Sequence, residues 1–201
     1  MSKRAILAAR ATSSRAEARR AAILRAAKQL FLERGYDQVG VRDIASAAAI
    51  SPALVYRYGW TKTELLAELV LELNDTQVAA MRAWRPPSRG TLADRVVDYL
   101  RRLYRLDIEH RELRRLGAAY GWMWSPEQDR KCRAQIVELL APLRRLLTAA
   151  RVDGVDTRLA AIWAAYWTYF RLAVIYDADA DACAAEVRPL VELAVRGDRS
   201  G

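Results

Sequence analysis

The sequence predicts an all-α protein, and three observations support this prediction. Ala, Leu and Arg dominate the 201 residues, whereas the helix breakers Gly (9) and Pro (6) are scarce. Large apolar residues recur every three or four positions through most of the chain, which is the spacing of one face of a helix. No stretch alternates apolar and polar residues as a half-buried strand does. We therefore expect helices throughout, joined by short turns.

The first predicted helix follows a basic segment. Residues 1–13 are rich in Arg and Ala without a large apolar stripe, so we interpret them as a flexible basic arm. Such an arm either enters a DNA minor groove or only adds non-specific attraction to phosphates. Ser14 and Glu17 then have the spacing of a capping box, and Gly35 has the position of a helix-ending glycine. The apolar face between them consists of Ile23, Ala27, Leu30 and Phe31.

Residues 39–66 predict two short helices joined by a tight turn, followed by the start of a third. Val41, Ile44 and Ala45 fall at i, i+3 and i+4, which places them on one face of the first helix. Ser51 stands where an N-cap is expected and is followed by proline, a strong start signal for the second helix. This arrangement is a helix-turn-helix, whose second helix lies in the DNA major groove in the proteins that use it.

Positive charge is concentrated in the first third of the chain. Residues 1–62 hold 12 Lys and Arg against 4 Asp and Glu, a net charge of +8, whereas the remaining residues hold 21 against 20, a net charge of +1. This distribution is expected of a protein that binds a polyanion through its N-terminal part. A solvated basic face with no nucleic-acid partner is the alternative interpretation of the charge alone.

The stretch GYDQVGVRDIASAAAISPALVYRYGWTKTELL resembles the N-terminal domain of tetracycline-repressor-type (TetR family) regulators, and the similarity covers about residues 19–67. The family pattern is an aliphatic-alanine helix ending in Phe-x-x-x-Gly-Tyr, then x-x-Ile-Ala, then Tyr-x-x-x-x-x-Lys-x-x-Leu-Leu. The matching residues are Phe31, Gly35, Tyr36, Ile44, Ala45, Tyr56, Lys62, Leu65 and Leu66.

Three positions depart from that pattern. Ala49 stands where the family usually has Gly, Gly59 where it has an aromatic residue, and Trp60 where it has a small one. A left-handed conformation at Ala49 would cost about 1–2 kcal/mol relative to Gly. We expect Trp60 to fill the space that the missing aromatic residue leaves.

The resemblance implies a three-helix DNA-binding domain over residues 14–61 and a larger helical domain for effector binding and dimerisation over residues 62–201. It also implies a cytoplasmic homodimer that binds a palindromic operator in double-stranded DNA. The implied activity is that of a repressor released by a small-molecule effector, with no cofactor. An architectural or non-specific DNA-binding protein without an effector is the rival hypothesis.

Eight residues are candidates for contact with DNA. Arg42 can reach a base edge or a phosphate, and Pro52 and Ala53 can contact a thymine methyl group. Arg57 is the candidate for guanine, because its guanidinium can bond O6 and N7 together, with a phosphate contact as the alternative. For Tyr56 the alternative is packing in the core. The candidates for phosphate binding are Ser51, Tyr56, Tyr58 and Lys62.

The rest of the chain predicts six more helices. The segment PPSRG at 86–90 is the clearest linker, and Thr91 with Asp94 forms another capping box. The predicted helices cover about 62–83, a stretch from Thr91, about 109–122, a stretch from Ser125 kinked at Pro142, about 156–176 and about 179–196.

Residues 159–176 are apolar nearly all round, which is typical of a membrane span or of a helix buried on every side. Arg171 and the acidic flanks disfavour the membrane span. The resemblance implies that the last two helices form a four-helix bundle with those of a second subunit.

Aromatic residues are concentrated in two C-terminal segments, where they either fill a core or dimer interface or line an apolar ligand cavity. Four of them are spaced at i, i+3, i+4 and i+7, so one helix face can present all four rings. Others lie on a short connection, where they could close the mouth of a cavity, and Arg171 could meet an anionic group of an apolar or aromatic effector. The effector candidates are Tyr120, Trp122, Trp124, Trp163, Tyr166, Trp167, Phe170 and Arg171.

Enzymatic and metal-binding functions are disfavoured. His110 is the only histidine, and Cys132 and Cys183 do not have metal-ligand spacing. We find neither a nucleophile in a recognisable setting nor a glycine-rich phosphate loop. Arginines interrupt residues 2–20, so we expect no secretory signal and a reduced, cytoplasmic protein. An enzyme that uses the aromatic cavity is the second rival hypothesis.

Overall fold

A computed structural model describes residues 3–196, with side chains from Ser14 onward. The described residues form helices joined by turns, as predicted. Two short 3-10 helices cover Tyr36–Gln38 and Gly121–Met123. The α-helices are α1 (Lys3–Arg34), α2 (Val41–Ala47), α3 (Pro52–Arg57), α4 (Lys62–Arg82), α5 (Leu92–Ile108), α6 (Arg111–Tyr120), α7 (Pro126–Ala149), α8 (Val155–Tyr176) and α9 (Ala180–Val195).

Two compact units divide the chain. The N-terminal unit holds the residues up to 70 together with 116–125, and the C-terminal unit holds 71–115 together with the residues from 126 onward. These units differ from the predicted domain boundary between 61 and 62. The first turns of α4 are buried in the N-terminal unit, where Leu65 and Leu66 have no exposed surface. Residues 116–125 also belong to the N-terminal unit, although residues 71–115 separate them from the rest of that unit in the sequence.

Helix α1 begins earlier than the sequence predicted. It extends to Lys3, whereas the capping box places its start at Ser14. The segment is free of Gly and Pro and rich in Ala and Arg, which have the highest helix propensities, so a helix already in progress is extended at little cost. Residues 3–13 of the predicted flexible arm are thus helical, and Met1 and Ser2 lie outside the described residues. A contact of this segment with DNA stays a prediction.

The N-terminal unit buries the residues that its periodicity predicted. Ile23, Ala27, Ile44 and Val55 have no exposed surface. Their burial leaves the opposite faces of α2 and α3 in solvent, because apolar residues at helical spacing share one side of each helix.

Two predicted caps have different outcomes in the structure. The predicted capping box at α4 is formed, since Thr61 N donates to Glu64 and Glu64 N donates to Thr61 Oγ1 at 3.3 Å. Ser51 is the N-cap residue of α3, but its side chain makes no capping hydrogen bond. The hydroxyl of Ser51 is therefore not committed to capping the helix.

The C-terminal unit is built around α5, which packs against α8 and α9. The predicted stripe on α5 forms the centre of its core. Thr91 and Asp94 form the predicted capping box, with Asp94 N donating to Thr91 Oγ1 at 3.1 Å. The helix α7 begins at Pro126 as expected and continues through Pro142. The α5 residues with no exposed surface are Val96, Val97, Tyr99, Leu100, Leu103 and Tyr104.

Helix α8 buries only one side within the single chain, so its burial on every side, which involves a second subunit, stays a prediction. Among the described residues it is the one helix long and apolar enough to cross a membrane by length and composition. Its buried side includes Leu159, Ile162 and Ala173. The exposed side is a stripe of small or apolar residues with one charge, made of Ala160, Ala161, Ala164, Thr168, Arg171 and Ile175.

Candidate DNA-binding surface and effector region

The turn between α2 and α3 is closed by backbone hydrogen bonds. Ala49 N donates to Ser46 O and Ile50 N donates to Ala45 O, both at 3.0 Å. Ala49 has φ 54°, so the left-handed conformation considered from the sequence is present. The left-handed conformation of Ala49 costs about 1–2 kcal/mol, and the turn that requires it determines the direction of α3.

Helix α3 presents a distinct outer face. Val55 on the inner side has no exposed surface, whereas 58% of Tyr56 is exposed. Packing of Tyr56 in the core, the alternative considered from the sequence, is therefore wrong. Pro52 is half-buried at the start of the helix. The exposed candidates on and next to this helix are Ser51, Ala53, Tyr56 and Arg57.

Arg42 lies exposed in the first turn of α2. The carboxylate of the neighbouring Asp43 accepts a hydrogen bond from Gly40 N at 2.8 Å, at the start of α2. This hydrogen bond satisfies one backbone donor at the start of α2. The guanidinium of Arg42 is thus presented on the surface beside the N-terminal end of α2.

Two predicted phosphate-binding residues have partners inside the unit. The Tyr58 hydroxyl donates to Ala16 O at 3.5 Å, and its ring stacks on Trp60 with centroids 5.1 Å apart. Lys62 Nζ donates to Tyr36 O at 3.0 Å and lies 4.3 Å from the centroid of the Tyr36 ring. An ammonium group has three donors, so Lys62 can bind a phosphate without leaving Tyr36.

The end of α3 is closed by Gly59, which has φ 74°, and by Trp60, which is buried as expected. The guanidinium of Arg20 lies over the Trp60 ring at 5.6 Å and pairs with Glu68. Arg20 therefore ties α1 to α4. Its cation–π contact stabilises the side chain that departs from the family pattern.

Tyr120 is bound within the N-terminal unit. Its hydroxyl donates to the two carboxylate oxygens of Asp37 at 2.8 and 2.9 Å. Its ring lies against that of Tyr36, with centroids 4.1 Å apart. Asp37 was not singled out in the sequence because it lies on the short 3-10 helix, where no periodic pattern indicates a partner.

The other two aromatic residues of this connection differ in exposure. Trp122 is 95% exposed and is followed by an exposed Met123. Trp124 is half-buried, and no described residue accepts a hydrogen bond from its buried indole N–H. Both tryptophans belong to the N-terminal unit, as Tyr120 does, whereas the predicted aromatic residues of α8 belong to the C-terminal unit.

The four aromatic residues of α8 form one cluster, as their spacing predicted. Trp163 and Tyr166 stack with centroids 5.2 Å apart, and Trp167 meets Trp163, Tyr166 and Phe170 edge-on at 5.6–5.8 Å. Tyr166 and Phe170 are core residues, with 0% and 2% exposure, whereas Trp163 and Trp167 are half-buried. Arg171 is exposed on the other side of the helix, next to Thr168 and away from the buried rings.

Sequence reasoning missed a buried polar network in the C-terminal unit. Arg114, which is 5% exposed, donates from Nε to Asp107 Oδ1 at 2.6 Å and from Nη1 to Asn74 Oδ1 at 2.6 Å. Gln77 accepts from Arg114 and donates to Asp107. The Tyr166 hydroxyl donates to the other oxygen of Asp107. We call these five residues (Asn74, Gln77, Asp107, Arg114 and Tyr166) the Arg114 network.

A signal for part of this network was present in the sequence. Asp107 continues the apolar stripe of α5, three residues after Tyr104 and four after Leu103. A charge on a buried stripe requires a partner, because an unpaired buried charge is very costly. Burial first and then the nearby Asp107 raise the pKa of Tyr166 well above its usual value, so the hydroxyl remains a hydrogen-bond donor.

No group of three or more His, Cys, Asp or Glu side chains that could hold a metal ion occurs in the described part of the chain. Cys132 is half-buried on α7 and Cys183 is buried on α9, both as free thiols. Burial raises the pKa of each thiol. Thiols with a raised pKa are poor nucleophiles at neutral pH.

Comparison with known proteins identifies the N-terminal part. Residues 23–69 match the family model described as bacterial regulatory proteins of the tetR family. The HTH-type transcriptional regulator UidR of Escherichia coli K12 is 31% identical over 85 residues, which are 42% of this chain. The match covers 40% of the length of that relative, and the same holds for UidR of Shigella flexneri.

Solved structures share the fold over most of the chain. A bacterial regulatory protein of the tetR family from Rhodococcus RHA1 is 24% identical, with a TM-score of 0.65 and coverage of 88% of this chain and 94% of that one. The transcriptional regulator FadR from Bacillus subtilis, in complex with stearoyl-CoA, is 20% identical, with a TM-score of 0.65 and coverage of 88% and 97%. Residues 23–69 therefore form a DNA-binding domain of the tetR family, and the described part of the chain shares its all-helical fold with solved regulators of that family.

Proposed function

We propose that the protein is a cytoplasmic, homodimeric repressor that binds an inverted-repeat operator and is released by a small apolar or aromatic effector, without enzymatic activity. The single observation that carries the proposal is the outer face of α3. That face exposes Ser51, Ala53, Tyr56 and Arg57, while Val55 holds the helix to the domain core. A helix whose inner side packs in the domain core and whose outer side exposes polar groups has the properties of a recognition helix.

The exposed side chains suit different tasks on DNA. Arg57 can bond guanine O6 and N7 together, and Ala53 with Pro52 can contact a thymine methyl group. Arg42, Ser51 and the half-buried Tyr58 and Lys62, with the exposed Tyr56, bind phosphates or a nearby base edge in this proposal. The net charge of +8 in residues 1–62 supplies attraction that does not depend on sequence.

A second copy of the chain is the proposed cover for the exposed faces of α8 and α9. Small residues at 160, 161, 164 and 168 allow a second helix to approach closely. Leu190 and Leu193 of α9 are 42% and 63% exposed, which is unfavourable in water unless another surface covers them. Such a dimer must place its two recognition helices about one DNA turn apart, roughly 34–36 Å.

We place the effector region at the aromatic cluster of α8. Trp163 and Trp167 are half-buried and can offer ring faces to a ligand, whereas Tyr166 and Phe170 support them from the core. FadR, which shares the fold, binds stearoyl-CoA, a ligand with a long apolar chain. The effector contacts predicted at Tyr120, Trp122, Trp124 and Arg171 stay predictions from the sequence alone. The effector must bind the DNA-incompetent state more tightly than the DNA-binding state, because equal affinity for both states does not change their populations.

Selection of bound duplexes from a random DNA pool tests the proposal. We expect an enriched inverted repeat with half-sites one turn apart and a steep decrease of affinity with salt. Retention of all sequences alike would overturn it in favour of non-specific, architectural binding. A screen of apolar and aromatic compounds on the operator complex then tests release, and turnover of a releasing compound would indicate an enzyme.

A further inference from the structure

We infer that Arg20 is a positioning residue for operator recognition, because it holds the ring of Trp60 and thereby the end of α3 that carries Arg57. This role rests on the proposed function, in which the outer face of α3 reads the operator, and it gives a task to a residue of α1. We call Arg20, Tyr58 and Trp60 the Trp60 stack. All three residues lie in the N-terminal unit.

Helix α3 has little support of its own. It covers six residues, Pro52–Arg57, and helices of this length are marginal without tertiary contacts. Its N-cap residue Ser51 makes no side-chain capping hydrogen bond, and Val55 is the buried residue of the helix. The direction of the C-terminal end of α3 therefore depends on contacts of the residues that follow Arg57.

The chain reverses its direction directly after α3. Gly59 has φ 74°, a left-handed conformation that favours glycine, and Trp60 N donates to Val55 O at 3.4 Å. This turn brings the rings of Tyr58 and Trp60 together, with centroids 5.1 Å apart and an angle of 26° between their planes. Trp60 is 8% exposed, so its ring is a fixed surface on which Tyr58 packs.

One face of α1 holds both rings. The guanidinium of Arg20 lies 5.6 Å from the centroid of the Trp60 ring, and Ala16 O accepts a hydrogen bond from the Tyr58 hydroxyl at 3.5 Å. Ala16 and Arg20 are four residues apart, so they lie on adjacent turns of the same helix face. Each ring of the Trp60 stack therefore has its own contact on α1.

Arg20 is itself held by the first turns of α4. Its Nη2 donates to Glu68 Oε2, and only 21% of the Glu68 side chain is exposed. A cation over an indole face is attracted by the ring, and the attraction is stronger where water is excluded. Loss of the guanidinium removes the ion pair and the ring contact together, so it should loosen the end of α3.

The expected consequence concerns Arg57, the last residue of α3. A bidentate contact with guanine requires that two guanidinium donors meet O6 and N7 together, so it depends on the direction of the helix end. Attraction to phosphates depends much less on orientation and does not depend on sequence. A loosened helix end should therefore lower base discrimination more than it lowers general affinity for DNA.

Arg20→Met and Arg19→Met form a matched pair of variants. Each removes one positive charge from α1, but Arg19 is exposed and lies outside the Trp60 stack. In binding selections, we expect Arg20→Met to lower discrimination about two- to fivefold, the range of a cation–π contact at a partly exposed site. The loss should occur at the base pair whose preference Arg57→Ala changes. Arg19→Met should keep the wild-type base preference.

A double variant tests whether Arg20 acts through Arg57. In Arg20→Met combined with Arg57→Ala, the loss of discrimination should equal that of Arg57→Ala alone, because both substitutions act on one contact. Additive losses would overturn the inference. A direct phosphate contact of Arg20 would instead weaken all sequences alike and reduce the slope of log K against log salt by about one, and this result would also overturn it.

Hydrogen exchange of the full-length protein without DNA tests the hold on the helix end separately. The amides of Tyr58, Gly59 and Trp60 donate to carbonyls of α3, so their exchange measures opening of this end. We expect exchange about two- to fivefold faster in Arg20→Met and at the wild-type rate in Arg19→Met. Amides of residues 23–31 in the same unit are the internal reference and should keep their rate in both variants.

The outcomes of this experiment separate the inference from the proposed function. Equal exchange at residues 58–60 in wild type and Arg20→Met would overturn the inference. Equal acceleration at residues 23–31 would also overturn it, because it indicates a general loss of stability. Failure of the wild type to select any operator would instead contradict the proposed function, and the exchange rates still decide whether Arg20 holds the end of α3.

Discussion

The two compact units place their polar groups in opposite ways. In the N-terminal unit the two arginines that are candidates for contact with DNA, Arg42 and Arg57, are exposed over an apolar core. In the C-terminal unit a guanidinium and a carboxylate lie in the core, and all the buried polar residues in the described part of the chain belong to this unit. A surface charge is free to meet an external partner, whereas a buried pair can respond only to a change within the fold. The charge distribution of the first unit is therefore suited to contact with DNA.

The largest effect should come from breaking the buried pair. Arg114→Met leaves Asp107 without its ionic partner in the core and should lower the free energy of unfolding by about 3–5 kcal/mol. Urea denaturation measures this change. Arg57→Ala, which removes an arginine from the surface, should change it by less than about 0.5 kcal/mol. Similar losses in the two variants would remove the contrast between the units.

The next effect concerns the exposed stripe of α8. Ala164→Asp should yield monomers and weaken operator binding, because an unpaired carboxylate in a dimer interface costs more than about 2 kcal/mol. Sedimentation at micromolar concentration shows the change. Ala134→Asp on the exposed side of α7 is the control and should remain dimeric. A wild-type protein that sediments as a monomer would contradict the proposed interface.

A smaller effect is expected at the recognition helix. Arg57→Ala should lower discrimination at one base pair in each half-site by about 1–3 kcal/mol if the arginine bonds guanine with two donors. Binding selection with the variant measures the base preference. An unchanged preference with a smaller salt dependence would assign Arg57 to a phosphate.

The smallest effect is a pH dependence in the C-terminal unit. The hydrogen bond from Arg188, at 2.7 Å, and those from Thr91 lower the pKa of Asp94 to about 2. Because the folded-state pKa lies below the unfolded one, this carboxylate stabilises the fold above its ordinary pKa, and the contribution is lost as the pH falls toward 2. Thermal unfolding of Asp94→Asn should therefore lose part of the acid sensitivity of the wild type. An identical pH profile in the two proteins would show that Asp94 does not contribute.

Much of the DNA-binding surface could be predicted because its signals are local. The spacing of Val41, Ile44 and Ala45 predicts the inner side of α2, where Ile44 and Ala45 are buried and Val41 is half-buried. The turn at Ala49 follows from its position between two short helices. The exposure of Tyr56 required the structure, since an aromatic residue of a short helix packs equally well inside or outside. The early start of α1 at Lys3 was not predicted, because the high helix propensity of the residues before Ser14 continues the helix past the predicted capping box.

The packing of the candidate effector residues could be predicted only in part. The i, i+3, i+4, i+7 spacing brought Trp163, Tyr166, Trp167 and Phe170 together as expected, because helix geometry alone determines that contact. No local pattern showed that Tyr120 bonds Asp37, 83 residues away in sequence. Contacts between distant segments depend on how the helices pack, which the periodicity of one helix does not contain.

The sequence by itself determined the helical class, the helix-turn-helix and the likeness of its N-terminal domain to the TetR family, because capping residues, apolar spacing and fixed anchors act within a few turns of one helix. Only the tertiary structure decided that Arg114 is buried with Asp107 and that the end of α6 is held by Asp37. A charged side chain is stable in a core only where several helices supply its partners together. That condition is met by the packed fold and by no single segment of the chain.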